Sequence, residues 1–125
     1  MEIQISVAET VEDTLQQTSQ PIPQPVRVTA LIDTGASVSV IQKGLAQQLG
    51  LQPVGIVYVN TPSSEKVQCY QYALRFIFPN RVIFQTTAIE ARLQGQNIQC
   101  LLGRDLLSHG VFVYIGYKDL FSLSI

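Results

Sequence analysis

The sequence is short of the residues on which many hydrolytic and metal-binding sites depend. His109 is its only histidine, which argues against a Ser-His or Cys-His hydrolase because both need a histidine base. It follows a predicted short helix, where it is expected to cap the C-terminal end. The two cysteines, Cys69 and Cys100, are too far apart for a local metal knuckle and make only a weak case for a disulfide. We interpret both as reduced, half-buried small hydrophobic residues, and expect no metal and no cofactor.

Charge is also scarce. Only 14% of the 125 residues are charged and the net charge is −1, so there is no basic field for phosphates and nucleic-acid binding is disfavoured. With 46% hydrophobic residues, the chain has fewer charges than a small monomer needs, and we expect an oligomer to hide part of its apolar surface. The sequence contains neither an apolar run long enough to span a membrane nor the layout of a signal peptide. We expect no membrane partner and a cytoplasmic location.

The length allows one domain, residues 1–125. Residues 2–7 alternate polar with β-branched side chains, which predicts a strand. The polar segment 10–25, which contains three prolines, is interpreted as a loop or linker within the domain. Further strands are predicted at 38–41, 56–59, 67–72, 73–78, 82–89, 111–115 and 120–125, and a helix at 42–49 that ends at Gly50. The pattern is therefore that of an all-β fold with one or two short helices.

The most informative stretch is an apolar run, 28–32, that ends in Asp33-Thr34-Gly35-Ala36-Ser37. This pattern predicts a buried strand that delivers one carboxylate into a tight loop. Gly35 permits a close turn, and Thr34 brings a hydroxyl that can bond across the loop. A structural alternative is an Asx turn at a strand end, without chemistry.

A second segment, 100–107, has two apolar residues and a glycine before Arg104 and Asp105, which open a short helix. Together the two segments resemble the hallmarks of the retropepsin-like aspartic proteases, the retroviral proteases and their cellular relatives, over roughly residues 26 to 125. The resemblance implies a closed β-barrel, a symmetric homodimer, and a second segment that passes beside the catalytic loop.

Aspartic proteases use two carboxylates that share one proton. The ionised carboxylate takes a proton from a water, and the protonated one hydrogen-bonds the scissile carbonyl. Of the nine acids in the chain, only Asp33 is followed by Thr/Ser-Gly. If the resemblance holds, the second carboxylate is Asp33 of a symmetry mate, and the site lies on a two-fold axis.

The resemblance also implies roles for individual residues. Asp33, Thr34 and Gly35 would be catalytic, with Thr34 bonding across to the other subunit. Asp105 would be structural, at a helix N-terminus. In retroviral relatives the arginine at the position of Arg104 pairs with an acid where Ser37 stands here, so its role is open. Substrate contacts are expected from the catalytic loop, from the tip of a hairpin that would close over the peptide, and from the second segment: Ala36, Ser37, Thr61, Pro62, Ser63, Ser64 and Leu102.

We therefore expect an aspartic endopeptidase that acts on a peptide or protein and is inhibited by pepstatin. A non-catalytic dimeric protein-interaction module of the same fold is the alternative, favoured by the glycine-free hairpin tip and by the missing acid. A solute-binding β-barrel with Asp33 as a ligand anchor has only the β-rich pattern in its favour. Strands at the chain ends would be exposed edges that a partner covers, and 121–125 is expected to contribute more than the N-terminal strand.

Overall fold

A computed structural model of the chain describes residues 1–60, 65–93 and 97–125. In these ranges the chain forms, in order, β1 (Glu2–Val7), α1 (Glu9–Gln17), β2 (Val26–Ile32), β3 (Val40–Gln42), α2 (Leu45–Gln48), β4 (Gly55–Asn60), β5 (Lys66–Ile77), β6 (Ile83–Ala91), β7 (Cys100–Leu102), α3 (Arg104–Leu107), β8 (Val111–Ile115), a 3-10 turn (Gly116–Lys118) and β9 (Leu120–Ser124).

Six of these strands close into a barrel. Their order is β1-β2-β7-β3-β6-β5, and β5 pairs back with β1 to complete the ring. β4 pairs with β5 and extends it as a hairpin. The predicted closed β-barrel is confirmed, with a core built from the inward-facing residues of its strands.

The N-terminal strand is an integral barrel strand. Ile3, Ile5 and Val7 are at most 2% exposed, as the alternating pattern predicts. Ile5 lies opposite Val26 of β2 and also opposite Phe76 of β5. Because both of its edges are paired, β1 is not the exposed edge that the sequence suggested.

The C-terminal strands have a different environment. β8 and β9 form a separate two-stranded antiparallel sheet outside the barrel, with Tyr114 opposite Phe121. Leu123 and Ile125 pack against the barrel core, whereas Tyr114 is 62% exposed and Phe121 51% exposed. In the described part of the chain, the hairpin pairs with no other strand, so its outer edges are open.

The largest correction concerns 10–25, predicted to be a loop. Its first half is α1, and only residues 18–25 lack a helix or strand. No residue of α1 is buried; polar contacts hold it instead. Arg75 forms an ion pair with Glu12, and the Gln85 side-chain oxygen accepts from the backbone N–H of Glu9 at 3.0 Å. The described residues thus contain three α-helices rather than one or two.

Smaller differences concern element boundaries. β5 is one strand of 12 residues where two had been predicted. β3 begins at Val40, two residues later than expected, because Ser39 belongs to the preceding loop. No helix in the described residues is long and apolar enough to cross a membrane.

Candidate active site

The 33–39 loop joins β2 to β3, and β7 lies between these two strands. β7 runs parallel to β2, with Leu101 opposite Leu31, and antiparallel to β3, with Leu101 opposite Val40. The backbone N–H of Asp33 donates to the Leu102 carbonyl at 2.9 Å. The loop therefore passes around the end of β7, which confirms that the second segment lies beside it.

Asp33 is half-buried at the start of this loop. The backbone N–H of Gly35 donates to Asp33 Oδ1 at 2.9 Å, and the N–H of Ala36 donates to the Asp33 carbonyl at 3.2 Å. Within the described residues, Oδ2 has no hydrogen-bond partner. The carboxylate is thus held by one oxygen and available through the other.

A network centred on Asp105 fixes the far end of the loop. Its Oδ1 accepts from the Ser39 hydroxyl at 2.8 Å, and its Oδ2 accepts from the Ser39 backbone N–H at 2.9 Å. The Ser39 hydroxyl oxygen in turn accepts from the N–H of Gly103 at 3.1 Å. Ser39 is completely buried, so these bonds satisfy polar groups that would otherwise be costly to bury. The structural role expected for Asp105 is confirmed.

Gly103 lies directly against the loop backbone. A Cβ at this position would lie 2.6 Å from the Val38 carbonyl oxygen and 2.9 Å from that of Ala36. The next residue, Arg104, donates its backbone N–H to the same Ala36 carbonyl at 2.8 Å. The absence of a side chain at Gly103 is what allows the two backbones to approach this closely.

The side chain of Arg104 supplies a further contact. Its Nη1 donates to the carbonyl oxygen of Thr34 at 3.0 Å. Ser37, at the position of the retroviral acid, is exposed, and in the described residues Arg104 forms no ion pair. The arginine therefore contacts the 33–39 loop through a backbone carbonyl.

The residues predicted to bind substrate have three different outcomes in the structure. Ala36 and Ser37 lie on the 33–39 loop, half-buried and exposed respectively. Residues 61–64, predicted as the hairpin tip (Thr61, Pro62, Ser63 and Ser64), lie outside the described residues. Leu102 is a correction: its side chain is 0% exposed and belongs to the barrel core, so it positions Asp33 through its carbonyl and has no surface to offer a ligand.

Sequence reasoning missed Leu31 and Leu101. They are opposite each other in register, on the face of β2 and β7 that points away from the barrel core. Leu31 is 47% exposed, and Leu101 is half-buried against a small second cluster. The available signal was the period-two alternation of β2, which puts Leu31 on the face opposite the buried Val28 and Ala30 only if the neighbouring pattern is followed residue by residue.

A cavity of about 450 Å³ adjoins the loop. Its lining combines Thr34 with apolar residues of β2, including Leu31, and with Phe112, Tyr114 and Phe121 of the C-terminal hairpin. The C-terminal hairpin is therefore not packed tightly against the barrel beside the 33–39 loop, and an apolar hollow separates the hairpin from the barrel.

The two cysteines and the histidine lie in surroundings that indicate structural roles. Both cysteines are free and buried, and burial is the main cause that raises the pKa of the Cys100 thiol to about 12. His109 packs its ring edge-on against Phe84, with centroids 4.8 Å apart, and its backbone N–H donates to the Leu106 carbonyl at 3.0 Å at the end of α3. The described residues contain no group of three or more His, Cys, Asp or Glu that could hold a metal ion.

Comparison with known families gives an independent result. A model of the family described as gag-polyprotein putative aspartyl protease matches residues 24–109. The match includes both the 33–39 loop and the segment 103–105. A sequence search among curated proteins found no match.

Among solved structures, the chain is similar to a retropepsin-like aspartic protease from Rickettsia conorii. The two are 23% identical, the alignment covers 98% of this chain and 80% of that one, and the TM-score is 0.56. This similarity confirms the predicted retropepsin-like fold. The retroviral protease-like domain of Ddi1 from Leishmania major is also similar, at 14% identity, with 98% and 86% coverage and a TM-score of 0.48.

Proposed function

The chain belongs to the gag-polyprotein aspartyl protease family, and on that premise we propose that it is an aspartic endopeptidase. The observation that carries the proposal is the state of Asp33: Oδ1 is held by the Gly35 N–H at 2.9 Å, while Oδ2 has no partner in the described residues. A carboxylate oriented by one oxygen and open at the other is suited to act on a water molecule.

The second carboxylate would come from another copy of the chain. Three of the other eight acids have partners elsewhere: Asp105 with Ser39, Glu90 with the Gly44 N–H at 3.3 Å, and Glu12 with Arg75. Two Asp33 side chains across a two-fold axis would share one proton, because two adjacent carboxylates cannot both remain ionised at moderate pH. The ionised one would accept a proton from water as that water adds to the scissile carbonyl. The protonated one would donate a hydrogen bond to the carbonyl oxygen.

We place the dimer interface at the C-terminal hairpin. Tyr114 and Phe121 expose large apolar surfaces and line the 450 Å³ hollow together with Thr34. A second copy that filled this hollow would touch the catalytic loop directly. β1 supplies no free edge, since both of its edges are paired. The interface would therefore be formed by β8 and β9 and by the exposed Thr34, whose hydroxyl would bond across to the partner.

The substrate would be a peptide in extended conformation. Leu31 and Leu101 lie opposite each other on the outer face of β2 and β7, and β2 leads directly into Asp33. Ala36 and Ser37 lie on the same loop as Asp33. This placement supports subsites for apolar side chains on either side of the scissile bond. The contribution of the predicted hairpin tip stays a prediction.

The proposal is tested by cleavage of a random peptide library, with and without pepstatin. The wild type should cut and be inhibited, whereas Asp33→Asn should be inactive, because its amide oxygen can still accept the Gly35 N–H but the side chain cannot serve as a base. Asp13→Asn, an exposed acid on α1, is the matched control and should retain full activity. Activity of purified Asp33→Asn equal to wild type would exclude the mechanism; a wild type without activity that dimerises would favour the interaction module.

Dimerisation needs its own test. Below the dimer dissociation constant the rate should rise with the square of the protein concentration, and above it linearly. Tyr114→Asp should shift this crossover to higher concentration. Tyr70→Asp, at a tyrosine that is 45% exposed on β5, is the control. Linear scaling in a range where sedimentation shows only monomer would contradict a site shared between two copies.

A further inference from the structure

Arg104 and Asp33 bind opposite ends of one peptide unit. Nη1 of Arg104 donates to the Thr34 carbonyl at 3.0 Å. The N–H of the same peptide unit, on Gly35, donates to Asp33 Oδ1 at 2.9 Å. The guanidinium and the candidate catalytic carboxylate are therefore connected through a single planar amide.

This arrangement has two physical consequences. Because the peptide unit is planar, fixing the direction of its C=O also fixes the direction of its N–H. A carbonyl that accepts a hydrogen bond from a cation also polarises its amide, and hydrogen bonds in such a chain strengthen one another. Arg104 should thus both orient and strengthen the Gly35 N–H as a donor to Asp33.

No acid in the described residues competes for the guanidinium. Neither ion pair of the described chain includes Arg104. Asp105, its neighbour, directs its carboxylate to Ser39 and to the N–H of Leu106. The Thr34 carbonyl is the one side-chain hydrogen-bond partner of Arg104 in that part of the chain.

We propose that Arg104 is a positioning residue for Asp33, acting through the Thr34–Gly35 peptide. It holds that peptide so that Oδ1 is occupied by the Gly35 N–H and Oδ2 is left for the reacting water. The link to catalysis rests on the proposed protease function, whereas the link to the Gly35 amide stands on the contacts alone.

The amide of Gly35 gives the direct readout. Its hydrogen-exchange rate and its NMR cross-peak should be compared in wild type, Arg104→Met, Arg104→Lys and Arg27→Met. The last is the control, since the Arg27 side chain is 76% exposed on β2 and, among the residues that the structure describes, forms an ion pair with Glu2 alone. In Arg104→Met the exchange of Gly35 should become roughly tenfold faster, as expected for loss of one charge-assisted hydrogen bond. Arg104→Lys, which keeps a cationic donor, should show a smaller change, and Arg27→Met none.

Kinetics supply the second readout, taken well above the dimer dissociation constant. Arg104→Met should lower kcat by roughly tenfold with little change in KM. The kcat of Arg104→Lys should lie between those of Arg104→Met and the wild type. An unchanged Gly35 amide in Arg104→Met would overturn the inference, as would exchange that accelerates equally throughout the barrel. A wild-type protein without peptidase activity would overturn the proposed function, and the Gly35 amide would still decide whether Arg104 acts on Asp33.

Discussion

Replacing Gly103 by alanine tests how far the geometry of the 33–39 loop depends on the 103–105 segment packed against it. The backbone of Gly103 has φ −91° and ψ −174°, which any residue can adopt, so the substitution brings no backbone strain. Its cost is steric. The new Cβ would lie 2.6 Å from the Val38 carbonyl oxygen, whereas ordinary contact begins near 3.4 Å. The loop must therefore move by roughly 0.8 Å, the difference between these two distances.

The energetic cost follows from this displacement. Overpacking of this kind costs about 1–3 kcal/mol. The shift also weakens the bond from the Arg104 N–H to the Ala36 carbonyl, now 2.8 Å long, and such a bond contributes about 0.5–1.5 kcal/mol. We expect Gly103→Ala to lower the free energy of unfolding by about 1.5–4.5 kcal/mol as the sum of these two effects. A misplacement approaching 1 Å can also slow catalysis by about 100-fold.

Urea denaturation and peptide cleavage, at a concentration where the protein is dimeric, measure both effects. Gly50→Ala is the matched control: Gly50 has φ +64°, and a Cβ added there would have no heavy atom within 4 Å beyond its own chain neighbours. That change should cost about 1–2 kcal/mol through backbone strain alone and leave kcat unaltered. A Gly103→Ala protein with the urea midpoint and kcat of the wild type would refute the view that this close approach sets the loop geometry.

Two more predictions concern groups outside the loop. Arg75→Met should detach α1 and accelerate amide exchange in Glu9–Gln17. No residue of that helix is buried, and Arg75 contacts both Glu12 and the Val7 carbonyl. Unchanged protection of the α1 amides would show that the ion pair is dispensable. Burial raises the pKa of Cys100 from 9.0 to about 12, so the unfolded chain loses this proton first and the folded state loses stability as pH rises above about 9. Relative to Cys100→Ala, the wild type should lose about 1.4 kcal/mol per pH unit between pH 9 and 12, and parallel pH dependences in urea titrations would contradict this.

The fold could largely be predicted because its strands carry local signals. The alternation in β1 and the apolar run before Asp33 identified barrel strands correctly. α1 could not be recognised in the same way. Its stabilising contacts come from Arg75 and Gln85, 63 and 76 residues away in sequence, and its own sequence is nearly all polar. The sequence also could not predict whether β1 is an edge strand, because that depends on which strands pair on its two sides.

The candidate site was likewise predictable only in part. The position of Asp33 at the end of β2 was predictable from the strand and glycine signals. Which of Leu101 and Leu102 faces the core could not be predicted, because a three-residue strand such as β7 carries no clear alternation. Its phase is set by the pairing with β2, which places Leu101 opposite the exposed Leu31 and turns Leu102 into the core.

The geometry of the 33–39 loop fits both descriptions that the sequence left open, an Asx turn and the catalytic loop of the proposed protease. The bond from the Gly35 N–H to Asp33 Oδ1 is by itself the bond of an Asx turn, and only the open Oδ2 adds support for a catalytic role. The loop is further distinguished by the contacts that reach it from 103–105: the Arg104 N–H on Ala36, its guanidinium on Thr34, and the Asp105 carboxylate on Ser39. A turn that only reverses the chain needs no such support, whereas a catalytic carboxylate must be held by neighbours that are themselves fixed. Because asparagine in place of Asp33 keeps the acceptor for Gly35, the support survives that change, and the loss of activity in Asp33→Asn would then reflect chemistry rather than loop structure.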